Sequence, residues 1–252
     1  MPVSRWIAGG IATLTATAAV ATGIVVSTAD ARDGARDGGR AGAAGAAQAL
    51  PTQPAAIPQG MPYEPVAAPR SQPALQQAAA APGSYTVKIT GQYQSKNNWC
   101  VPTSSSISLR TLGVNVSQAT LAKKMKTAGP GTTARQALPV LNAYAKPKHL
   151  AYRTGDDIST GTKLLTKVRY DAGVLHRATV LGVWADDLPW NTKQGFPNHT
   201  GHAIVVYGYN ASKKTITVWD PWKATGGKHT ISAAKLSAVS QKGGMFVINP
   251  TL

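Results

Sequence analysis

The stretch "HAIVVYGYNASKKTITVWDPW", residues 202–222, decides the fold class. Its first nine residues are nearly all apolar, the pattern of a strand buried on both faces. "ASKK", 211–214, is a turn, and "TITVWD", 215–220, alternates as the hairpin partner. Pro221 stops the second strand, because proline has no N–H to give the ladder. "ATVLGVWA", 178–185, reads as a further strand before the hairpin. After it come a short helix in "ISAAKLSAVS", 231–240, and a last strand, "GMFVIN", 244–249.

The half that precedes this sheet has a different texture. "YTVKITGQY", 85–93, alternates like a short strand. "SSSISLRTLG", 104–113, brings Ile107, Leu109 and Leu112 toward one face, and Gly113 ends that helix. Ser117 caps a second helix in "QATLAKKMKTAG". Thr133 precedes a third in "ARQALPVLNAYAK", which Pro139 is expected to limit. Residues 159–172 supply a fourth. Helices first and an antiparallel sheet afterwards imply an α+β domain, not an alternating α/β one.

This domain is expected to occupy residues 84–252. Ahead of it, residues 32–83 are dominated by Ala, Gly, Pro and Gln, with no sustained apolar period. Such a segment buries too little surface to offset its ordering entropy and reads as a disordered linker or pro-segment. Residues 1–31 read as a secretory signal: Arg5, an uncharged run over 7–26, then the small-x-small "ADA" at 29–31. The run is also long enough to span a bilayer, so an uncleaved anchor is the alternative. No later segment is a membrane candidate. The protein is therefore expected outside the cell or on the cell wall, as a monomer.

Export makes the cysteine count informative. Cys100 is the only cysteine, and a leftover cysteine in a secreted chain means an intermolecular bond or a reactive thiol. It lies in "QSKNNWCVPTS", 94–104, after a loop and at the start of the first long helix. A helix N-terminus beneath a sulfur favours its anionic form. Of the five histidines, His202 stands at the mouth of the apolar strand, with His199 a rival in the loop before it. Asp220 ends the neighbouring strand and would lie near the level of His202. Gln94 precedes Cys100 by six residues and is a candidate oxyanion donor, with Gln92 competing. Trp99 and Trp222 flank these positions as candidate walls of a substrate groove.

"QSKNNWCVPTS" resembles the nucleophile segment of the bacteriocin-processing cysteine peptidases and their secreted C39-like relatives. "GHAIVVYGYN" and "ITVWDPW" resemble that family's His and Asp-Pro segments, in the same chain order. The resemblance implies a papain-like fold, with an N-terminal helical lobe carrying the cysteine and a C-terminal antiparallel β lobe carrying His and Asp. It makes Cys100 the nucleophile, His202 the general base and acid, Asp220 its orienting group and Gln94 the oxyanion donor. Two positions depart from the family pattern: Val101 stands where Gly is common, and Thr103 where Ala is common. Transporter-linked members cut after a double glycine. This chain shows no transporter segment, and that specificity is not carried over.

The expected activity is hydrolysis of peptide or protein substrates through an acyl-enzyme, with no cofactor and no metal. The same residues serve a cell-wall amidase or acyltransferase, and a non-catalytic binding module is the other alternative. The net charge of +16 favours anionic partners such as a cell envelope. The lysines are scattered and not blocked, which does not point to nucleic acid.

Overall fold

The computed structural model describes residues 72–251. The signal segment and the linker up to residue 71 lie outside the described residues. The chain runs α1 (Gln72–Ala80), β1 (Ser84–Thr86), α2 (Cys100–Thr111), α3 (Gln118–Lys124), α4 (Ala134–Ala145) and β2 (Leu150–Arg153). It continues through α5 (Gly161–Val168), a π-helical turn (Arg169–Val174), β3 (Thr179–Trp184), β4 (Gly201–Asn210) and β5 (Thr215–Asp220). β6 (Gly227–Ser232), α6 (Ala233–Ala238) and β7 (Ser240–Pro250) complete it.

The sheet order is β2-β7-β3-β4-β5-β6, every pair antiparallel, and β1 adds to the far end of β4. This is the α+β arrangement expected. One buried cluster joins α2, α3 and α4 to Val180, Ala203, Phe246 and Ile248. A second joins α5 and α6 to Leu181, Val183, Ile204, Met245 and Val247. These residues alternate along β3, β4 and β7, so the two clusters occupy opposite faces of the sheet.

The central hairpin is not regular. Asn210 pairs with Thr215 and Gly208 with Thr217, but Val206 pairs with Val218 and Val205 with Trp219. Tyr207 is therefore an extra residue on β4, a β-bulge. One step beyond the Val205–Trp219 pair, Asp220 stands opposite Ile204. His202 lies two residues further along β4, on the same face. Without the bulge, Asp220 would face Val205 and its carboxylate would point away from His202.

The local signals in the helical half act as read. Ser117 Oγ accepts from the Thr120 amide at the start of α3. Thr133 and Gln136 form a complete capping box at α4. Gly113 follows α2 with φ +76°, a conformation that costs a Cβ-bearing residue.

Other elements differ from expectation. α4 runs through Pro139 to Ala145. Its buried stripe, Ala134, Ala137, Leu141 and Ala145, holds the helix across the missing N–H, and Pro139 itself faces solvent. α1 falls within the segment read as a disordered linker. Ala78 is buried there, and Arg169 Nη2 donates to the carbonyls of Ala79 and Ala81. Of the expected 85–93 strand only Tyr85 and Thr86 pair as a strand, with Ser84 before them. β2 and β6 were not foreseen.

An interior proline costs about 3 kcal/mol against alanine in a helix, partly offset by its stiffening of the unfolded chain. Pro139→Ala is expected to stabilise the domain by about 1–2 kcal/mol, seen as a higher midpoint in thermal or urea unfolding.

Candidate active site

β5 stops at Asp220, so β4 runs on alone past it on that side, and the functional residues gather there. His202 and Asp220 are both buried, 1% and 0% exposed. His202 Nε2 is 2.7 Å from Asp220 Oδ1. The same oxygen accepts from the Trp222 amide at 2.8 Å, and Oδ2 accepts from the Trp190 indole N–H at 2.7 Å. Both oxygens of this buried carboxylate are thus satisfied, as burial of a charge demands.

Burial works against a charged imidazole here. The Asp220 carboxylate outweighs it by charge and by hydrogen bond, the Cys100 thiol adds to the effect, and the His202 pKa is pushed up to about 10. Burial likewise opposes ionisation of Asp220. Imidazolium charge, the His202 hydrogen bond and the two further donors hold its carboxyl below the usual carboxylate range. Both shifts favour the ionic form of the pair.

Cys100 is the first residue of α2 and is 1% exposed. Its influence on His202 places the sulfur beside the ring. His202 Nδ1 is buried and has no closed hydrogen bond. That leaves Nδ1 as the atom turned to neither carboxylate nor amide, and loose contacts of this kind are common before a ligand binds.

α2 is buried along almost its whole length, yet it carries Thr103, Ser104, Ser105, Ser106 and Ser108. Most of these hydroxyls anchor it. Ser104 Oγ donates to Ala203 O, the residue after His202, at 3.0 Å. Ser106 and Ser108 donate to Val116 O and Ala178 O. Thr103 Oγ1 donates to Gln118 Oε1, which also accepts from the Ser95 amide, while Gln118 Nε2 donates to Tyr93 O. The Gln94 amide donates to Pro221 O at 2.9 Å. The loop before Cys100 is thereby tied to α3 on one side and to the Asp220–Pro221 turn on the other.

The structure brings Cys100, His202 and Asp220 together. Gln94 is on the adjoining loop, but its Nε2 donates to Lys96 O and Asn97 O, at 3.0 and 2.8 Å, so both N–H bonds are taken. Gln92 is tied to Ser106 Oγ at 3.2 Å. His199 is exposed, with its ring against Trp184. Trp99 is half-buried at the N-cap of α2, under the Lys96 ammonium. Trp222 is 5% exposed and edge-on to Phe196, so it is interior packing beside Asp220 and not an open wall. Val101, the departure from the family pattern, points into the α2–α4 cluster. The roles of Trp190 beside Asp220 and of Gln118 beneath the loop were not read from sequence. Each works through a fold-dependent contact that carries no local signature. No cluster of His, Cys, Asp or Glu suited to a metal occurs among the described residues.

No curated protein is similar enough to this chain to count as a relative. Among solved structures, xylellain, a cysteine protease from Xylella fastidiosa, aligns with TM-score 0.55 and 12% identity over 81% of this chain and 98% of its own. The peptidase domain of Streptococcus ComA, a bifunctional ABC transporter in a quorum-sensing pathway, aligns with TM-score 0.45 and 18% identity, covering 66% of this chain and 99% of that domain. The fold is α+β and papain-like. Residues 86–242 match the model of the Peptidase_C39 like family, and at more than half of its length the chain belongs to that family of cysteine peptidases.

Proposed function

We propose that the protein is an exported cysteine peptidase acting through Cys100, His202 and Asp220. The observation that carries this reading is the 2.7 Å bond between the buried His202 Nε2 and Asp220 Oδ1, with Cys100 beside that ring at the start of α2. In the resting state the thiolate pairs with the His202 imidazolium. Sγ attacks the peptide carbonyl carbon, and the negative charge moves to the carbonyl oxygen. The Cys100 backbone N–H, which the start of α2 leaves without an intrahelical partner, donates to that oxyanion. Gln94 joins it by releasing one of its two loop carbonyls.

The C–N bond then breaks as the His202 proton passes to the leaving amine, leaving a thioester. His202, now neutral, takes a proton from water. The hydroxide attacks the thioester, and the acid product leaves with the thiolate restored. Asp220 stays ionised throughout and holds the ring. No step calls for a cofactor. The family match favours a peptide bond as substrate, and the positive charge suits an anionic envelope as the place of work.

Casein and purified peptidoglycan, offered side by side, test the assignment. Casein is the substrate expected to be cut, and Cys100→Ala is expected to lower its hydrolysis by roughly 1,000-fold or more. Loss of peptidoglycan amides instead would move the same chemistry to the cell wall. Activity surviving in Cys100→Ala would refute the thiol mechanism. Gln94→Ala separates two roles: an oxyanion donor costs about 100-fold in kcat with an unchanged melting point. A loop tie alone lowers the melting point first.

The pKa directions also fix a stability window. His202 has its folded value raised, so its contribution is complete below 6.5 and is lost as pH rises through about 10. Asp220 has its folded value lowered, so its contribution is present above its ordinary value of 3.8 and is lost as pH falls further. The melting-point difference between the wild type and Asp220→Asn is therefore expected to be largest between about pH 4 and 6.5, and to shrink on both sides. A difference independent of pH would contradict the ion pair.

A further inference from the structure

The loop between β3 and β4 reaches across the sheet end to the carboxylate of Asp220. Trp190, on that loop, donates its indole N–H to Oδ2 at 2.7 Å, while His202 and the Trp222 amide share Oδ1. Indole N–H is a donor only, so it fixes Oδ2 as an acceptor and cannot take its place in proton transfer. A carboxylate turns readily about its terminal torsion. With Oδ1 held by two donors in fixed directions and Oδ2 by a third, this one has a single orientation.

The indole is itself held. Its ring lies on the His229 imidazole with centroids 4.0 Å apart and planes 4° from parallel. His229 belongs to β6, opposite Val218 of β5, and its Nε2–H donates to Thr225 O at 3.0 Å. Thr225 Oγ1 in turn donates to Asn191 Oδ1, next to Trp190. Two loops and an edge strand thus close a ring of contacts behind Asp220, on the side away from His202.

We infer that Trp190, seated on His229, is a positioning residue that sets the orientation of Asp220 and through it the hold on His202. The inference rests on the proposed thiol mechanism and adds a part to it. Loss of the indole donor lets the carboxylate turn, weakens its bond to Nε2 and lowers the share of His202 that is charged next to Cys100. The sulfur then has less of the imidazolium charge facing it, and alkylation slows.

Alkylation of Cys100 by iodoacetamide in the full chain, followed by mass spectrometry from pH 5 to 9, reads this without a substrate. The wild type is expected to label rapidly at pH 6. Trp190→Phe, which keeps the stack and removes the N–H, is expected to label about tenfold more slowly at pH 6 and to converge with the wild type at pH 9. His229→Ala, which removes the shelf, is expected to shift the profile the same way by about threefold. A merely structural role would lower the melting point and leave the profile in place.

Wild-type profiles in both variants would overturn the role of Trp190 and leave the thiol mechanism standing. Slow wild-type labelling at pH 6 would overturn both together. Should Trp190→Phe not fold, the His229→Ala profile decides.

Discussion

Everything at the site depends on one alignment: the diagonal pairing of His202 with Asp220 across β4 and β5. Side chains on a strand alternate, so a shift of one residue would put the two on opposite faces of the sheet. The bulge at Tyr207 supplies the shift that brings them together. Pro221 then ends β5, and the uncovered start of β4 becomes the place where α2 and its loop dock. The bulge sets the pairing and Pro221 sets the termination, and the docking of α2 uses both.

The helix that brings Cys100 is unusual in what it buries. A wholly buried helix is ordinarily apolar all round. α2 instead carries a run of hydroxyls, and most of them reach carbonyls or amides of the surrounding frame. Such bonds add about 1 kcal/mol each, less than the same volume of well-packed hydrocarbon, but they are directional. The Ser104 bond to Ala203 ties the helix that carries Cys100 to the residue after His202. Stability and placement are divided among the side chains of the helix: Val101, Leu109 and Leu112 pack, and the hydroxyls aim.

The parts of this architecture visible in the sequence were those with local causes. The turn 211–214 between two apolar runs, the caps Ser117 and Thr133, and the left-handed stop at Gly113 each depend on a few adjacent residues. So did the placement of Cys100 at a helix start and of His202 and Asp220 at strand ends. The parts that stayed hidden depend on distant contacts. Nothing local marks Tyr207 as the bulged residue. β6 alternates Lys228, His229 and Thr230 as a solvated edge, and β2 is only four residues long. α1 looks like its Ala-rich surroundings until Arg169 closes its C-terminal end. Pro139 misleads because the buried stripe of α4 outweighs one missing hydrogen bond. Trp190 acts across thirty residues of sequence, and Gln94 has local carbonyls to bond that spacing alone does not reveal.

The docking of α1 also gives the molecule a direction. The chain joins the domain at Pro82, whose carbonyl accepts from the Tyr209 hydroxyl at 2.7 Å. Tyr209 and His202 lie at opposite ends of β4, roughly 23 Å apart at the usual rise per residue. The chain that follows α1 is therefore tied to the end of β4 remote from His202, and the link between helix and domain lies away from the Asp220 carboxylate.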